Sequence, residues 1–150
     1  MTDRPKLHEL APDGYRALAG VEAYLHSCGL ETSLIELVKM RASQVNGCAF
    51  CLDMHSRDAR RNGETEQRLY LLNAWRETAL YTPRERAALA WTEHLTRLPT
   101  DGAPEAAYRD LTETFSPREI VDLTLLVGMI NLWNRIGVGT AMHPPVQAHQ

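Results

Sequence analysis

The sequence predicts an all-α protein that folds as a helical bundle of about six to seven helices. Strand signals are weak, because no segment alternates apolar and polar residues over a run rich in Val, Ile and Thr. Helical periodicity, in contrast, recurs along the chain between recognisable caps and stops. No low-complexity segment divides the chain, so we predict one domain over residues 1–150, with a core over about 12–138 and an extended tail over about 137–150.

The first half of the chain contains three predicted helices. Each is followed by a glycine, and glycine readily adopts the left-handed conformation that ends many helices. The predicted bounds are about Asp13 to Ser27, then Thr32 or Ser33 (as the N-cap) to Asn46, and then near Cys48 to Asn62.

Two capping signatures organise the second half. Thr82-Pro83-Arg84-Glu85 and Ser116-Pro117-Arg118-Glu119 each combine an N-cap, a proline at the first helical position and a capping-box Glu. They predict one helix to about Thr96 and a longer apolar helix through Trp133. The remaining predictions are a helix over about Glu66 to Trp75, a loop from Pro99 to Gly102 and a shorter helix over about Pro104 to Thr114.

Composition and charge exclude several classes of function. A hydrophobic content of 44% indicates a globular protein, and a formal net charge of −3 offers no basic surface for nucleic acid. Apolar runs such as Leu123 to Ile130 are too short to span a bilayer, and the charged N-terminus lacks the apolar segment of a signal peptide. We therefore expect a cytoplasmic protein with neither nucleic-acid nor membrane partners.

The chemistry-bearing residues lie within one short stretch. Cys48 and Cys51 form a Cys-x-x-Cys pair, His55 follows four residues after Cys51, and Glu36 lies twelve before Cys48. In a reducing compartment such a pair is more often catalytic or metal-binding than structural. Positions 48, 51 and 55 share one helix face, and the first turn of a helix favours a thiolate. His55 can exchange a proton with Cys51, and Glu36 reaches the same cleft if its helix folds back at the Asn46-Gly47 turn. The pattern indicates a redox or peroxide-consuming site.

Zinc binding is an alternative interpretation of the cysteine pair. A Cys-x-x-Cys is half of many zinc sites, and His55 with Cys28 or Glu36 would have to complete the ligand set. The chain has no second Cys-x-x-Cys or His pair, so the redox interpretation is favoured and no metal is expected. Cys28 lies outside the motif and is expected to be a small buried residue.

The motif Glu36-x11-Cys48-x-x-Cys51-x3-His55 resembles the alkyl hydroperoxidase D-like (AhpD-like) branch of the carboxymuconolactone decarboxylase superfamily. The resemblance spans roughly residues 12–138. Besides the motif it includes the segments 37–48, 80–91, 115–123 and 131–135.

This resemblance implies an all-α fold that assembles as a homotrimer or homohexamer. It implies a peroxidase or disulfide reductase that uses no metal, haem or other cofactor. Cys51 would be the peroxidatic cysteine and Cys48 the resolving cysteine, while Glu36 and His55 would relay the proton. The implied partners are an organic hydroperoxide or disulfide substrate and an external dithiol reductant of the thioredoxin or lipoamide type.

One position departs from the peroxidase branch. Phe50 stands where members often carry a second histidine directly before the second cysteine. A phenylalanine cannot move protons and makes the mouth of the site more apolar. The departure predicts either weaker peroxidase turnover or a preference for bulky, apolar hydroperoxides.

Two further functions stay open at this point. The disulfide of a non-enzymatic redox-sensing module would change oligomer packing without turnover. A decarboxylase-type enzyme would use Glu36 and His55 as acid and base, and its activity would survive loss of both motif cysteines. Other side chains are assigned no site role: tryptophans that we expect to pack in the core or between subunits (Trp75, Trp91, Trp133) and the tail histidines His143 and His149.

Overall fold

The computed structural model describes residues 4–146, and every regular element in this range is helical. The elements are α1 (Leu7–Leu10), α2 (Pro12–Ser27), α3 (Thr32–Asn46), α4 (Ala49–Arg61), α5 (Glu66–Leu71), a 3₁₀-helix (Leu72–Glu77), α6 (Pro83–Thr96), α7 (Leu98–Asp101), α8 (Glu105–Thr112) and α9 (Pro117–Gly139). The all-α prediction is confirmed.

The predicted count of six to seven helices is too low, because residues 4–146 form nine α-helices and one 3₁₀-helix. The unpredicted α1 and α7 have four residues each, too few to show helical periodicity. Pro99 to Gly102 was expected to be a loop, yet most of it belongs to α7. The helix predicted over Glu66 to Trp75 changes to 3₁₀ geometry at Leu72, and Ala74 has non-helical dihedral angles.

Helix α3 lies at the centre of the fold. Its residues from Leu34 to Ser43 are all buried, although the sequence predicted a single apolar face. The long helices α4, α6 and α9 pack around it, so its polar side chains are largely removed from bulk water. They pair within the protein instead: Lys39 Nζ donates to Glu22 Oε2 over 2.6 Å, and Arg41 Nε donates to Glu93 Oε1 over 2.7 Å.

Glu93 of α6 connects three elements through its buried carboxylate. Trp75 Nε1 and Arg76 donate to it over 2.8 and 2.6 Å, in addition to Arg41 of α3. Burial acts to raise the pKa of Glu93, but hydrogen bonds from Trp75, Arg76 and Arg41 outweigh it and the pKa is lowered. The resulting charged cluster fixes α3, α6 and the 3₁₀-helix relative to one another.

Both predicted capping boxes are confirmed. Thr82 and Ser116 accept from the backbones of Glu85 and Glu119, and each glutamate accepts from the backbone of its N-cap residue. The prediction that Thr32 or Ser33 caps α3 is wrong: Glu31 is the N-cap and makes no side-chain capping bond. Its carboxylate instead accepts hydrogen bonds from the guanidinium of Arg84.

Helix α9 is the longest element, with 23 residues. By length and composition it could cross a membrane, with a window of mean hydropathy 1.2, although the sequence predicts an apolar run too short to do so. In this fold, however, Leu123, Leu126 and Ile130 are fully buried in the protein. The side chains of Asn131 and Asn134 are also buried and hydrogen-bonded to neighbouring helices. These contacts are typical of a core helix.

Candidate active site

The cysteine pair lies at the turn between α3 and α4. Gly47 ends α3 in the left-handed conformation (φ 67°), as predicted, and reverses the chain direction. The sequence predicted that Cys48 lies in the first turn of α4. In the structure it is instead the N-cap of that helix. Its sulfur accepts a hydrogen bond from the backbone N–H of Cys51 over 3.4 Å. Cys48 and Cys51 are joined by a disulfide with their Cα atoms 5.4 Å apart, so the structure represents the oxidised pair.

The reversal at Gly47 brings Glu36 and His55 together. His55 Nδ1 lies 3.0 Å from Glu36 Oε2, and both side chains are buried, with 6% and 3% exposure. A carboxylate at Nδ1 favours the tautomer that carries its proton there and leaves Nε2 as the acceptor nitrogen. The predicted contact between these two residues is confirmed. It positions a histidine base one helical turn after Cys51.

A cavity of about 910 Å³ opens onto these groups. This volume is in the range that accommodates small organic ligands. Cys51, His55 and Glu36 line the cavity, whereas Cys48 does not. Its remaining lining comes from α1, α2, α3, α4, α9 and the segments near both ends of the described chain. Large aromatic and apolar side chains in this lining include Tyr15, Phe50, Met54, Trp133 and Met142.

Gly137 of α9 is a site residue that the sequence did not reveal. A Cβ atom added at Gly137 would lie 3.0 Å from Cys48 Sγ and 3.6 Å from Cys51 Sγ. The approach of α9 is fixed one turn earlier, where Asn134 accepts from Asn46 Nδ2 over 2.9 Å and donates to Ser43 Oγ over 2.9 Å. A glycine within a helix is about 1 kcal/mol less favourable than an alanine. The presence of a glycine near the end of a predicted helix is the one sequence signal that could have identified Gly137.

Some of the residues to which the sequence assigned no site role line the cavity. Trp75 and Trp91 pack in the core, as predicted, but Trp133 is only partly buried and lines the cavity. His143 also lines the cavity, while His149 lies outside the described residues. Cys28 is half-buried against the core, and its thiol donates to Leu25 O over 3.2 Å, so it makes no contribution to the cavity.

One group of side chains has the composition of a metal site. Ligand atoms of Glu36, His55 and Asp58 lie within 4.8 Å of one another. The zinc site considered for the cysteine pair differs from this group, and a disulfide supplies no thiolate ligands in the form seen here. The expectation that no metal is used stays a prediction.

The fold and the site together define a class of protein: an all-helical protein in which a Cys-x-x-Cys disulfide and a buried Glu–His pair share one cavity. The family model for carboxymuconolactone decarboxylase matches residues 11–94. The chain therefore belongs to the carboxymuconolactone decarboxylase family, and within that superfamily it is an AhpD-like protein, as the resemblance implied.

Relatives of this chain are known from sequence and from structure. The chain is 44% identical to the uncharacterised protein YdfG of Bacillus subtilis, covering 92% of this chain and 94% of YdfG. It is 42% identical to a protein from Agrobacterium tumefaciens whose crystal structure is known. The two structures superpose with a TM-score of 0.94, over 97% of this chain and all of that protein. That protein is described as having unknown function and as a candidate antioxidant defence protein AhpD. A peroxidase-related protein from a Silicibacter species is 27% identical, with a TM-score of 0.77, covering 87% and 69% of the two chains.

Proposed function

We propose that this protein is a thiol-dependent hydroperoxide reductase that also accepts disulfides. The observation that carries the proposal is that Cys51, and not Cys48, lines the cavity, beside the hydrogen-bonded pair of His55 and Glu36. A nucleophile, a base and a residue that orients the base are the parts that thiol chemistry at neutral pH requires. The AhpD-like class and its peroxidase-related relative support the same type of chemistry.

The first step is attack of the Cys51 thiolate on the distal oxygen of the hydroperoxide. His55 accepts the thiol proton and returns it to the departing alkoxide, so an alcohol leaves. The O–O bond breaks, an S–O bond forms, and Cys51 becomes a sulfenic acid. Glu36 holds the imidazole in place and stabilises its charged form while it carries the proton.

The second step forms the disulfide seen in the structure. The Cys48 thiolate attacks the sulfur of the Cys51 sulfenic acid, an S–S bond forms and the hydroxyl leaves as water after protonation. The N-cap position of Cys48 favours its thiolate, because it faces the unpaired N–H groups of α4. Two electrons have then passed from the cysteine pair to the peroxide.

An external dithiol restores the reduced pair by thiol–disulfide exchange and is itself oxidised to a disulfide. The proposed donor is a thioredoxin-type or lipoamide-type dithiol, which requires a reducing compartment, and we therefore place the protein in the cytoplasm. Substrate disulfides would be reduced in the same cavity through a mixed disulfide at Cys51, which the cavity exposes to ligands.

Trapping of the sulfenic acid intermediate tests which cysteine is peroxidatic and which is resolving. In Cys48→Ser the sulfenic acid has no resolving partner, so treatment with a hydroperoxide and dimedone should label Cys51, as read by peptide mass spectrometry. The double variant Cys28→Ser/Cys48→Ser is the matched control and should label Cys51 to the same extent, because Cys28 lies outside the cavity. Labelling confined to Cys48 in a Cys51→Ser protein, with none on Cys51 in Cys48→Ser, would overturn the assignment.

A further inference from the structure

Three aromatic rings from three different helices line the cavity and contact one another edge to face. The ring centroids of His8 on α1 and Tyr15 on α2 are 6.3 Å apart, with planes at 65°. Those of Tyr15 and Trp133 on α9 are 6.1 Å apart, at 68°. These distances and angles are those of favourable aromatic pairs. The three rings, His8, Tyr15 and Trp133, are called the aromatic wall.

An ion pair between α2 and α3 fixes Trp133 of the aromatic wall relative to the reacting groups. Trp133 Nε1 donates to Glu22 Oε1 over 2.9 Å, and Lys39 Nζ donates to Glu22 Oε2 over 2.6 Å. Lys39 is 3% exposed and lies on α3, one turn after Glu36. Helix α3 therefore carries both the carboxylate that orients His55 and the lysine that pairs with Glu22, the acceptor for the indole of Trp133.

The cavity adds further apolar surface directly beside the reactive sulfur. Phe50 and Met54 flank Cys51 on α4 and line the same cavity. Gly137 of α9 also lines the cavity, where that helix approaches both cysteine sulfurs. A ligand could therefore place its polar end at Cys51 and pack its hydrocarbon part against apolar side chains of several helices.

We propose that Tyr15 and Trp133 of the aromatic wall are specificity-determining residues, which favour a hydroperoxide with a bulky hydrocarbon body over hydrogen peroxide. This inference rests on the proposed function and assigns the residues that select among hydroperoxides at that site. A volume of about 910 Å³ far exceeds the needs of hydrogen peroxide, which would bury none of this apolar surface. The apolar Phe50, which replaces a histidine common in the peroxidase branch, belongs to the same surface.

Tyr15→Ala tests the proposal with little risk to folding, because Tyr15 is 45% exposed. The chain offers a matched control in Tyr108→Ala: Tyr108 is 42% exposed and contacts Trp91 with ring centroids 6.1 Å apart, outside the cavity. The assay measures kcat/KM for cumene hydroperoxide and for hydrogen peroxide with dithiothreitol as reductant. Tyr15→Ala should lower kcat/KM about tenfold for cumene hydroperoxide and less than about twofold for hydrogen peroxide, whereas Tyr108→Ala should change neither.

A binding measurement that needs no turnover separates the two proposals. The oxidised wild-type protein should bind 2-phenyl-2-propanol, the alcohol product of cumene hydroperoxide, and Tyr15→Ala should weaken this binding about tenfold by calorimetry. Turnover of both peroxides with an equal loss of kcat/KM in Tyr15→Ala would overturn the aromatic wall and leave the reductase standing. Absence of turnover with either peroxide, combined with Tyr15-dependent alcohol binding, would overturn the reductase and support the wall as an apolar binding site.

Discussion

His55 Nδ1 lies 3.0 Å from Glu36 Oε2, in a contact that joins α4 to α3 and whose two side chains are both buried. The two residues are 19 positions apart, and the turn at Gly47 is what brings them together. A carboxylate in this position both orients the imidazole and stabilises its positive charge. Proton transfer at Cys51 is therefore expected to depend on the charge of Glu36 as well as on its shape.

Glu36→Gln should slow peroxide consumption at neutral pH by about tenfold to a hundredfold, because the amide keeps the shape of the side chain but loses its charge. The measurement is the rate–pH profile of turnover. Glu64→Gln is the control, since Glu64 is also buried but pairs with Arg68 away from the cavity. An unchanged profile in Glu36→Gln would remove Glu36 from the proton relay.

Gly137→Ala should slow the oxidation and reduction of the cysteine pair by about tenfold, because the added methyl group would lie 3.0 Å from Cys48 Sγ. Stopped-flow kinetics of disulfide formation measure this effect. Gly20→Ala, within α2, is the control: it meets no atom within 4 Å and should stabilise that helix by up to about 1 kcal/mol. Equal kinetics in wild type and Gly137→Ala would mean that the close approach of α9 has no role in the chemistry.

Acid should weaken the contact between Glu119 and Arg84. Hydrogen bonds from Arg84 and from the backbone of Ser116 lower the pKa of Glu119 from its usual value near 4.5 to about 2. A pKa depressed in the folded state contributes stability that is present above about pH 4.5 and is lost as the pH falls through about 2.

Urea unfolding of Glu119→Gln measures this contribution. The variant should be less stable than wild type at pH 7 by about 1 kcal/mol, once solvent screening of this partly exposed pair is taken into account. The difference should narrow steadily as the pH falls from about 4.5 to about 2. Glu105→Gln, in the first turn of α8, is the control for removing an acidic residue at a helix start. A difference that stays constant down to pH 2 would contradict the linkage.

Much of the active site could be predicted from the sequence because its parts are local. Cys48, Cys51 and His55 lie within eight residues, so the period of one helix fixes their relative positions. Glu36 required one further step, a chain reversal, and the Asn46-Gly47 pair predicted that turn. The capping boxes at Thr82 and Ser116 were equally accessible, since each depends only on a residue and its third neighbour.

The aromatic wall could not be predicted, because it depends on how distant helices pack. Glu22 and Trp133 are 111 positions apart, and no local pattern relates them. The burial of Lys39 could not be predicted either, since lysine is usually exposed. Here its ion pair with Glu22 compensates the charge that the fold buries. Short helices such as α1 were missed for a different reason: a single turn has no period to detect.

The predicted homotrimer or homohexamer can be tested at a specific surface. An apolar groove between α2 and α9 is lined by Leu18, Val21, Val121, Leu125 and Leu132, among others. Three of these side chains are 38% to 64% exposed. Burial of this groove against a second copy of the chain would remove the exposed surface from water.

Leu125→Glu should therefore reduce the mass of the particle measured by light scattering after size-exclusion chromatography, because it places a charge in the groove. Leu98→Glu is the control, since Leu98 is 52% exposed but lies outside the groove. A wild-type protein that elutes as a monomer would contradict the oligomer, and an unchanged mass in Leu125→Glu would locate the interface elsewhere.

Steady-state consumption of cumene hydroperoxide with a dithiol reductant, compared between wild type and Cys51→Ser, is the most direct test of the central claim. We expect sustained turnover in wild type and none in Cys51→Ser, since Cys51 is the cysteine that the cavity exposes. A single stoichiometric oxidation of the wild type without turnover would contradict it and favour a redox-sensing module. Undiminished consumption in Cys51→Ser would contradict the mechanism itself.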